Sequence, residues 1–518
     1  MVKIHIDDRK QGEIISPELH SHFIEMLGGC IYDGIWVGED SKIPNIRGIR
    51  KEFVEAFKAI APPVIRWPGG CYADTYHWRN GIGRRSERPV TFNENFGTFE
   101  LDTNAFGLHE FMDLCTMVGA KPWLNVNLLS GSVSEMKEWM EYCNREADTS
   151  LKREREANGS AKAFRVEYWG IGNEPWAGGG NYTAQGYADE YRKYASAAPS
   201  FKKSMMDPDA VPMRMIVCGP DGNKPAERAA WTRDLFEAFG KYRRPPMYGY
   251  DLHFYNWNVA HPEDTDTHFD RDGWYRVIHS CFELEDVINE QYALIQEGLQ
   301  RLPSTGDSER FSPKQCELLV GEWGNWHGNA FMARPALFQQ VTMRDAITSA
   351  LTLDIFHRNC DKVKIACVAQ TVNVLNALFL TDGEKFIKTP NYDVFRMYMV
   401  HRGARLIECR SEAEATCEYS SEARGSIHVL ASQKDDMVNV NVVNTDDACP
   451  EDIELYLPEN YRFMSGSVLC SQSPDDFNTW EQPDLIRERP CEAPVMADGC
   501  WLARVPAASV SVYQFVKI

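Results

Sequence analysis

Between residues 15 and 370 the chain sets eight short strand-like runs, 19–25, 63–67, 121–127, 166–173, 214–219, 250–255, 317–322 and 363–370, between longer helix-like stretches. A parallel neighbour can be reached only by a crossover long enough to hold a helix, so this alternation points to βα units around a parallel sheet. The stretch 277–302 shows the helical half of the pattern, with Leu284, Val287, Ile288, Tyr292, Ile295 and Leu299 recurring at near-helical spacing. Eight such units fit a (β/α)8 TIM barrel with enlarged loops.

After Tyr398 the helical periods vanish and short alternating runs such as 437–442 and 509–516 follow, separated by turn clusters at 444–447 and 474–476. That is the pattern of a β-sandwich. At 518 residues the chain exceeds what one core usually organises. We therefore expect an α/β chain in which residues 1–15 form an N-terminal strand joining the sandwich, 16–395 a catalytic barrel, and 396–518 a jelly-roll-like β-sandwich.

Charge limits the partners. With 55 Lys and Arg against 75 Asp and Glu the net charge is −20, which argues against a nucleic acid or an anionic membrane, since both require clustered cations. No apolar run approaches the ~18–20 residues of a membrane span, and the N-terminus lacks the apolar segment of a signal peptide. A cytoplasmic location is expected. The fifteen cysteines are odd in number and contain no C-x-x-C, so reduced, packed thiols are expected rather than disulfides.

In a barrel the chemistry gathers at the C-terminal ends of the strands. Polar residues cluster there: Glu25 after the first run, Arg66 to Cys71 after the second, Asn125 and Asn127 after the third, Asn173 and Glu174 after the fourth. His253 and Tyr255 end the sixth, Glu322 the seventh, and Gln370 and Asn373 follow the eighth. Burying so many polar groups is unfavourable unless each finds a partner, so a shared polar site at one rim is the economical reading. Glu174, in Tyr168-Trp169-Gly170-Ile171-Gly172-Asn173-Glu174-Pro175-Trp176, and Glu322, in Val320-Gly321-Glu322-Trp323-Gly324-Asn325-Trp326, each end an apolar strand among tryptophans. Two such carboxylates suit glycoside hydrolysis, which needs one protonated acid and one ionised partner flanking the sugar.

Seven segments, in order, carry a closer likeness: His22-Phe23-Ile24-Glu25, Arg66-Trp67-Pro68-Gly69-Gly70-Cys71-Tyr72-Ala73-Asp74, Asn104-Ala105-Phe106-Gly107 with His109-Glu110-Phe111-Met112, Asn173-Glu174 with Gly178-Gly179-Gly180-Asn181, Leu252-His253-Phe254-Tyr255, Glu322-Trp323-Gly324, and Ala369-Gln370-Thr371-Val372-Asn373-Val374-Leu375. They resemble glycoside hydrolase family 51, the mainly intracellular α-L-arabinofuranosidases. The resemblance implies Glu174 as general acid/base, Glu322 as nucleophile, retention of configuration and carboxyls ~5–5.5 Å apart. It further implies Glu25, Cys71, Asn173, Tyr255 and Gln370 around the furanose, with His253 beside the acid/base. Read from the residues alone, Cys71 and His253 are also compatible with packed core groups, and Arg66 with a partner that orients a carboxylate.

The resemblance implies no cofactor and no metal, an arabino- or arabinoxylo-oligosaccharide substrate cut at its non-reducing end, and a homo-oligomer, commonly a hexamer. His261, Asp264, Asp266, His268 and Asp270 lack a metal-ligand spacing. Pro175, Gly321, Phe96, Met26 and Gly29 depart from the family's usual residues, which leaves another retaining glycosidase on the same scaffold, such as an endoglucanase, xylanase or β-xylosidase, as the alternative. A catalytically dead binding protein is the remote one.

Overall fold

A computed structural model describes residues 2–203, 207, 209–304, 314–412, 425–458 and 460–518. Its centre is a closed barrel of eight parallel strands in chain order: Ser21–Phe23, Val64–Trp67, Lys121–Val126, Tyr168–Ile171, Arg214–Asp221, Gly249–Asn258, Glu317–His327 and Val363–Ala369. The eighth returns to the first, with Cys367 opposite Ser21 and Ala369 opposite Phe23. Each strand falls on one of the eight expected runs.

Two strand ends differ from expectation in ways that matter for the site. Strands six and seven do not stop at Tyr255 and Glu322; they pair onward through Asn258 opposite His327. Beyond the barrel rim each supplies the other's backbone hydrogen bonds, so the ribbon continues where a lone strand would end. Glu322 therefore lies within a paired strand opposite His253, and the register shifts just before it, leaving Gly321 as the extra residue. Such a shift re-aims the next side chain. The first strand is shorter than the run suggested, which leaves Glu25 two residues past its end.

The strand that opens the chain, Val2–Ile14, belongs to a second, ten-stranded sheet, where it runs antiparallel to Arg405–Glu412 and parallel to Glu451–Tyr456. Its alternation buries Val2, Ile4 and Ile6 on one face. Trp501, on the ninth strand of this sheet, meets Phe515 on the third with ring centroids 5.6 Å apart. The sheet therefore folds over on itself to enclose its own core. Between the barrel and this sheet lies the helix Met343–Arg358, buried from Met343 to His357. It is covered on all sides, as a helix between two layers must be.

Candidate active site

Beyond strand four the chain turns sharply and Glu174 takes a left-handed backbone with φ 40°, a conformation that is unfavourable for a residue with a side chain, by about 1–3 kcal/mol, and persists only where the surroundings enforce it. They do: Ala177 N–H donates to the Glu174 carbonyl at 2.9 Å, Tyr182 N–H to that of Pro175 at 2.6 Å, and Thr183 caps the following helix, Ala184–Ala197, by accepting from Gly186 N–H. The side chain of Glu174 is thereby aimed across the barrel mouth at Glu322. One carboxylate oxygen each of Glu174 and Glu322 and one ring nitrogen of His253 all lie within 4.8 Å of one another.

Glu322 is held at both oxygens. Arg66 Nη1 donates to Oε1 and the Tyr255 hydroxyl to Oε2, each at 2.7 Å, while His253 Nδ1 is 3.5 Å from Oε1. Arg66 is fully buried and its second terminal nitrogen donates to Asn173 Oδ1 at 2.6 Å, so one guanidinium fork fixes both a carboxylate and the residue next to the other carboxylate. Gly69 and Gly70 permit this crowding. A Cβ on Gly69 would meet Glu25 Cγ at 2.6 Å, and one on Gly70 would meet Glu322 Oε1 at 2.7 Å.

The two carboxylates are pushed in opposite directions. Burial raises the pKa of Glu174, and the negative charge of Glu322 adds to it, against a hydrogen bond from His253. Glu322 is also pressed upward by burial, but the His253 and Arg66 cations and the Tyr255 hydrogen bond outweigh that and bring it below the ordinary range. Burial should keep His253 neutral, yet Glu322, Asp251 and Glu174 around it raise its pKa to about 10. As imidazolium it donates from Nδ1 to Glu174 Oε1 at 2.8 Å and from Nε2 to Asp251 Oδ2 at 3.3 Å. Among the described residues these three side chains could geometrically hold a cation, which would require His253 to give up a ring proton.

Glu25 forms the floor. Its Oε1 accepts from Gly70 N–H, Tyr72 N–H and Asn95 Nδ2 at 3.0, 3.0 and 3.1 Å, and its Oε2 from Gln370 Nε2 at 2.8 Å. Burial, then the nearby Glu322 charge, lifts its pKa to about 7. Cys71 lines the cavity with Sγ 4.0 Å from Asn173 Nδ2, and burial followed by the carboxylates around it keeps the thiol protonated. Seven of the eight site residues expected from the sequence, Glu25, Cys71, Glu174, His253, Tyr255, Glu322 and Gln370, line one opening; the eighth, Asn173, is buried beside it between Arg66 and Cys71. The cavity there measures about 260 Å³, just under the ~300 Å³ lower end of ligand pockets.

Other rim residues have structural tasks. Asn125 donates to the Gly69 carbonyl and Asn127 to that of Tyr76, Asn373 donates to the Gly29 carbonyl, and Trp323 is packed in the core against Phe356 and Phe395. In the 256–275 loop Asp264 pairs with Arg344 and Arg276 at 2.7 and 2.6 Å, Asp266 accepts from Asn329 and Gln340, and Asp270 caps a helix.

Sequence reasoning missed Asp251. The period-2 rule on strand six points Asp251, His253 and Tyr255 to one side, so the signal was present. Its carboxylate also accounts for Gly321: a Cβ there would meet Asp251 Oδ1 at 2.2 Å and Oδ2 at 2.5 Å. Strand six thus supplies an acidic group at the position where an Asp beside the seventh-strand glutamate would otherwise project.

Residues 56–273 match the family model described as the α-L-arabinofuranosidase 1 domain, and residues 321–509 that of the α-L-arabinofuranosidase C-terminal domain. The chain is 33% identical over 523 residues to an intracellular exo-α-L-arabinofuranosidase of Bacteroides ovatus, covering 98% of this chain and 94% of that one. Its fold is similar to the crystal structure of the family 51 (GH51) arabinofuranosidase from Xanthomonas axonopodis pv. citri, with TM-score 0.88 and 30% identity over 99% and 100% of the two chains. An α-L-arabinofuranosidase from Thermotoga maritima, solved as an arabinose complex, aligns with TM-score 0.82 and 25% identity over all of both chains.

Proposed function

Because this chain belongs to glycoside hydrolase family 51, the α-L-arabinofuranosidases, we propose that it removes terminal non-reducing α-L-arabinofuranosyl residues from arabino- or arabinoxylo-oligosaccharides with retention of configuration. The observation that carries this reading is the pair Glu174 and Glu322, facing each other within 4.8 Å and biased toward opposite protonation states. Retaining glycosidases need that close spacing, because the second carboxylate attacks the sugar directly with no room left for water.

Glu322 attacks the anomeric carbon while Glu174 gives its proton to the leaving oxygen, so the glycosidic bond breaks as an ester to Glu322 forms. Glu174, now ionised, takes a proton from a water that attacks the same carbon. Arabinose leaves and both carboxyls return to their starting states. Arg66 and Tyr255 keep Glu322 ionised and oriented, and His253 aligns Glu174. Glu25, Asn173, Gln370 and Cys71 surround the furanose. The small cavity supports exo action, since an open cleft would be needed to lay a chain across both carboxylates.

The division into a strand at 1–15, a catalytic barrel at 16–395 and a sandwich at 396–518 is part of the same reading, as are a homo-oligomer, with the hexamer as its expected form, and a cytoplasmic location. The Bacteroides ovatus relative is named intracellular, and no helix among the described residues is long and apolar enough to cross a membrane. Proton NMR of the first-formed product tests the mechanism: the α-anomer of arabinose should appear before mutarotation, and Glu322→Ala should abolish turnover. Appearance of the β-anomer first, or parent-like rates from Glu174→Ala and Glu322→Ala, sinks it.

A further inference from the structure

The catalytic mechanism leaves unused the charged residues at and just beyond the end of strand five, at the cavity mouth. Asp221 and Lys224 line the same opening as Glu174 and Trp257. The loop carrying them is clamped to strand six: Gly222 N–H donates to the His253 carbonyl at 2.9 Å, Asn223 Nδ2 to the Tyr255 carbonyl at 2.7 Å, and Tyr255 N–H back to Asn223 Oδ1 at 3.0 Å. With Asn223 spent on the clamp, the two charged side chains on either side remain for other work. Asp221 is half-buried, and among the described residues its carboxylate accepts one hydrogen bond, from Asn223 N–H. The Lys224 side chain is exposed and makes no ion pair or hydrogen bond among the described residues.

Position decides what this loop faces. The leaving oxygen must sit at Glu174, whose strand neighbours strands three and five, and of these two only the end of strand five lines the cavity. A leaving group therefore departs past Asp221 and Lys224, between Trp176, whose indole is pinned to the Gly219 carbonyl at 3.1 Å, and Trp257, which is 48% exposed and rests on Trp326 at 5.2 Å. A carboxylate accepts hydroxyl hydrogens and an ammonium donates to hydroxyl oxygens, while indole faces cover the apolar faces of a sugar ring. With a net charge of −20, an anionic leaving group is disfavoured by the field of the whole chain.

Resting on the arabinofuranosidase reading above, we infer that Asp221 and Lys224 form a subsite that recognises a vicinal diol on a neutral sugar leaving group, and so set the preference for glycosyl over simple alkyl or aryl leaving groups. The subsite follows from the loop clamp and from the adjacency to Glu174.

The test compares three substrates: an arabinofuranosyl disaccharide with a free vicinal diol on its leaving sugar, methyl α-L-arabinofuranoside, and an aryl α-L-arabinofuranoside. The methyl glycoside needs acid assistance as the disaccharide does but offers no diol, so it separates an effect on Glu174 from an effect on binding. In Lys224→Met and Asp221→Asn the ratio of kcat/KM for the disaccharide to that for the methyl glycoside should fall about tenfold or more, the loss typical of a hydrogen bond to a charged group. An unchanged ratio, whether rates fall equally or not at all, overturns the subsite. A parent enzyme inactive on all three substrates overturns instead the function on which it rests.

Discussion

Removing the Tyr255 hydroxyl isolates one of the forces that favour the ionised form of Glu322, the proposed nucleophile. In Tyr255→Phe the 2.7 Å hydrogen bond to Glu322 Oε2 is lost, while Arg66 still holds Oε1 at 2.7 Å. A hydrogen bond to a charged group is worth about 1.5–3 kcal/mol, and at 1.36 kcal/mol per factor of ten this raises the proton affinity of Glu322 about tenfold to a hundredfold. The sign follows from which form the bond favours. The hydroxyl donates to the carboxylate, so its loss favours the protonated acid, and attack requires the ionised form. The acidic limb of kcat/KM against pH should therefore move up by about one to two pH units. The basic limb, which reports protonated Glu174, should move much less, because Tyr255 makes no hydrogen bond to Glu174 among the described residues. The limbs belong to a coupled pair, so the difference between them is the quantity to read. The assay is hydrolysis of an aryl α-L-arabinofuranoside from pH 4 to 9, with the thermal transition as a check on folding. An acidic limb that stays put in a folded variant, or two limbs that move together, would refute the assignment of ionised nucleophile and protonated acid.

Two further outcomes follow from the packing. Gly321→Ala should lower stability by about 1–3 kcal/mol in chemical denaturation and depress activity, since its Cβ would meet Asp251 Oδ1 at 2.2 Å; Gly321→Asp should behave likewise, and combining it with Asp251→Gly should restore part of both, a non-additive result expected only of residues in contact. His22, buried against Phe57 and Phe395 with neither ring nitrogen hydrogen-bonded among the described residues, has its pKa pulled well below 6.5 by burial and then by the Arg402 charge. The unfolded chain thus protonates first, so the stability tied to neutral His22 is intact above about pH 6.5 and is lost as pH falls below it. His22→Leu should gain up to about 2 kcal/mol over the parent at pH 5 relative to pH 7.5, read from denaturant midpoints; an equal difference at both pH values would exclude this role.

Much of the barrel was legible in the chain because its cause is local. A buried strand must be apolar along its length and its connecting helix apolar on one face, and both rules leave periods that can be counted. Glu174 and Glu322 stood out for the same reason, as charges at the ends of runs that otherwise exclude them. Strand length was less legible. Whether strand seven stops at Glu322 depends on strand six continuing beside it to Asn258, and the partner lies some seventy residues away in sequence.

The sequence by itself determined the order of the elements, the rim at which polar groups collect, and the family to which the pattern belongs, because each is written in residue types at fixed spacing. Only the tertiary structure decided how those groups act. That Glu322 is pushed toward the ionised form and Glu174 toward the protonated one depends on which cations and hydroxyls reach each carboxylate through space: Arg66 from strand two, Tyr255 and His253 from strand six, and Asp251 in the volume that Gly321 leaves open. Electrostatic and steric interactions depend on distance in space, and the closure of the barrel sets that distance.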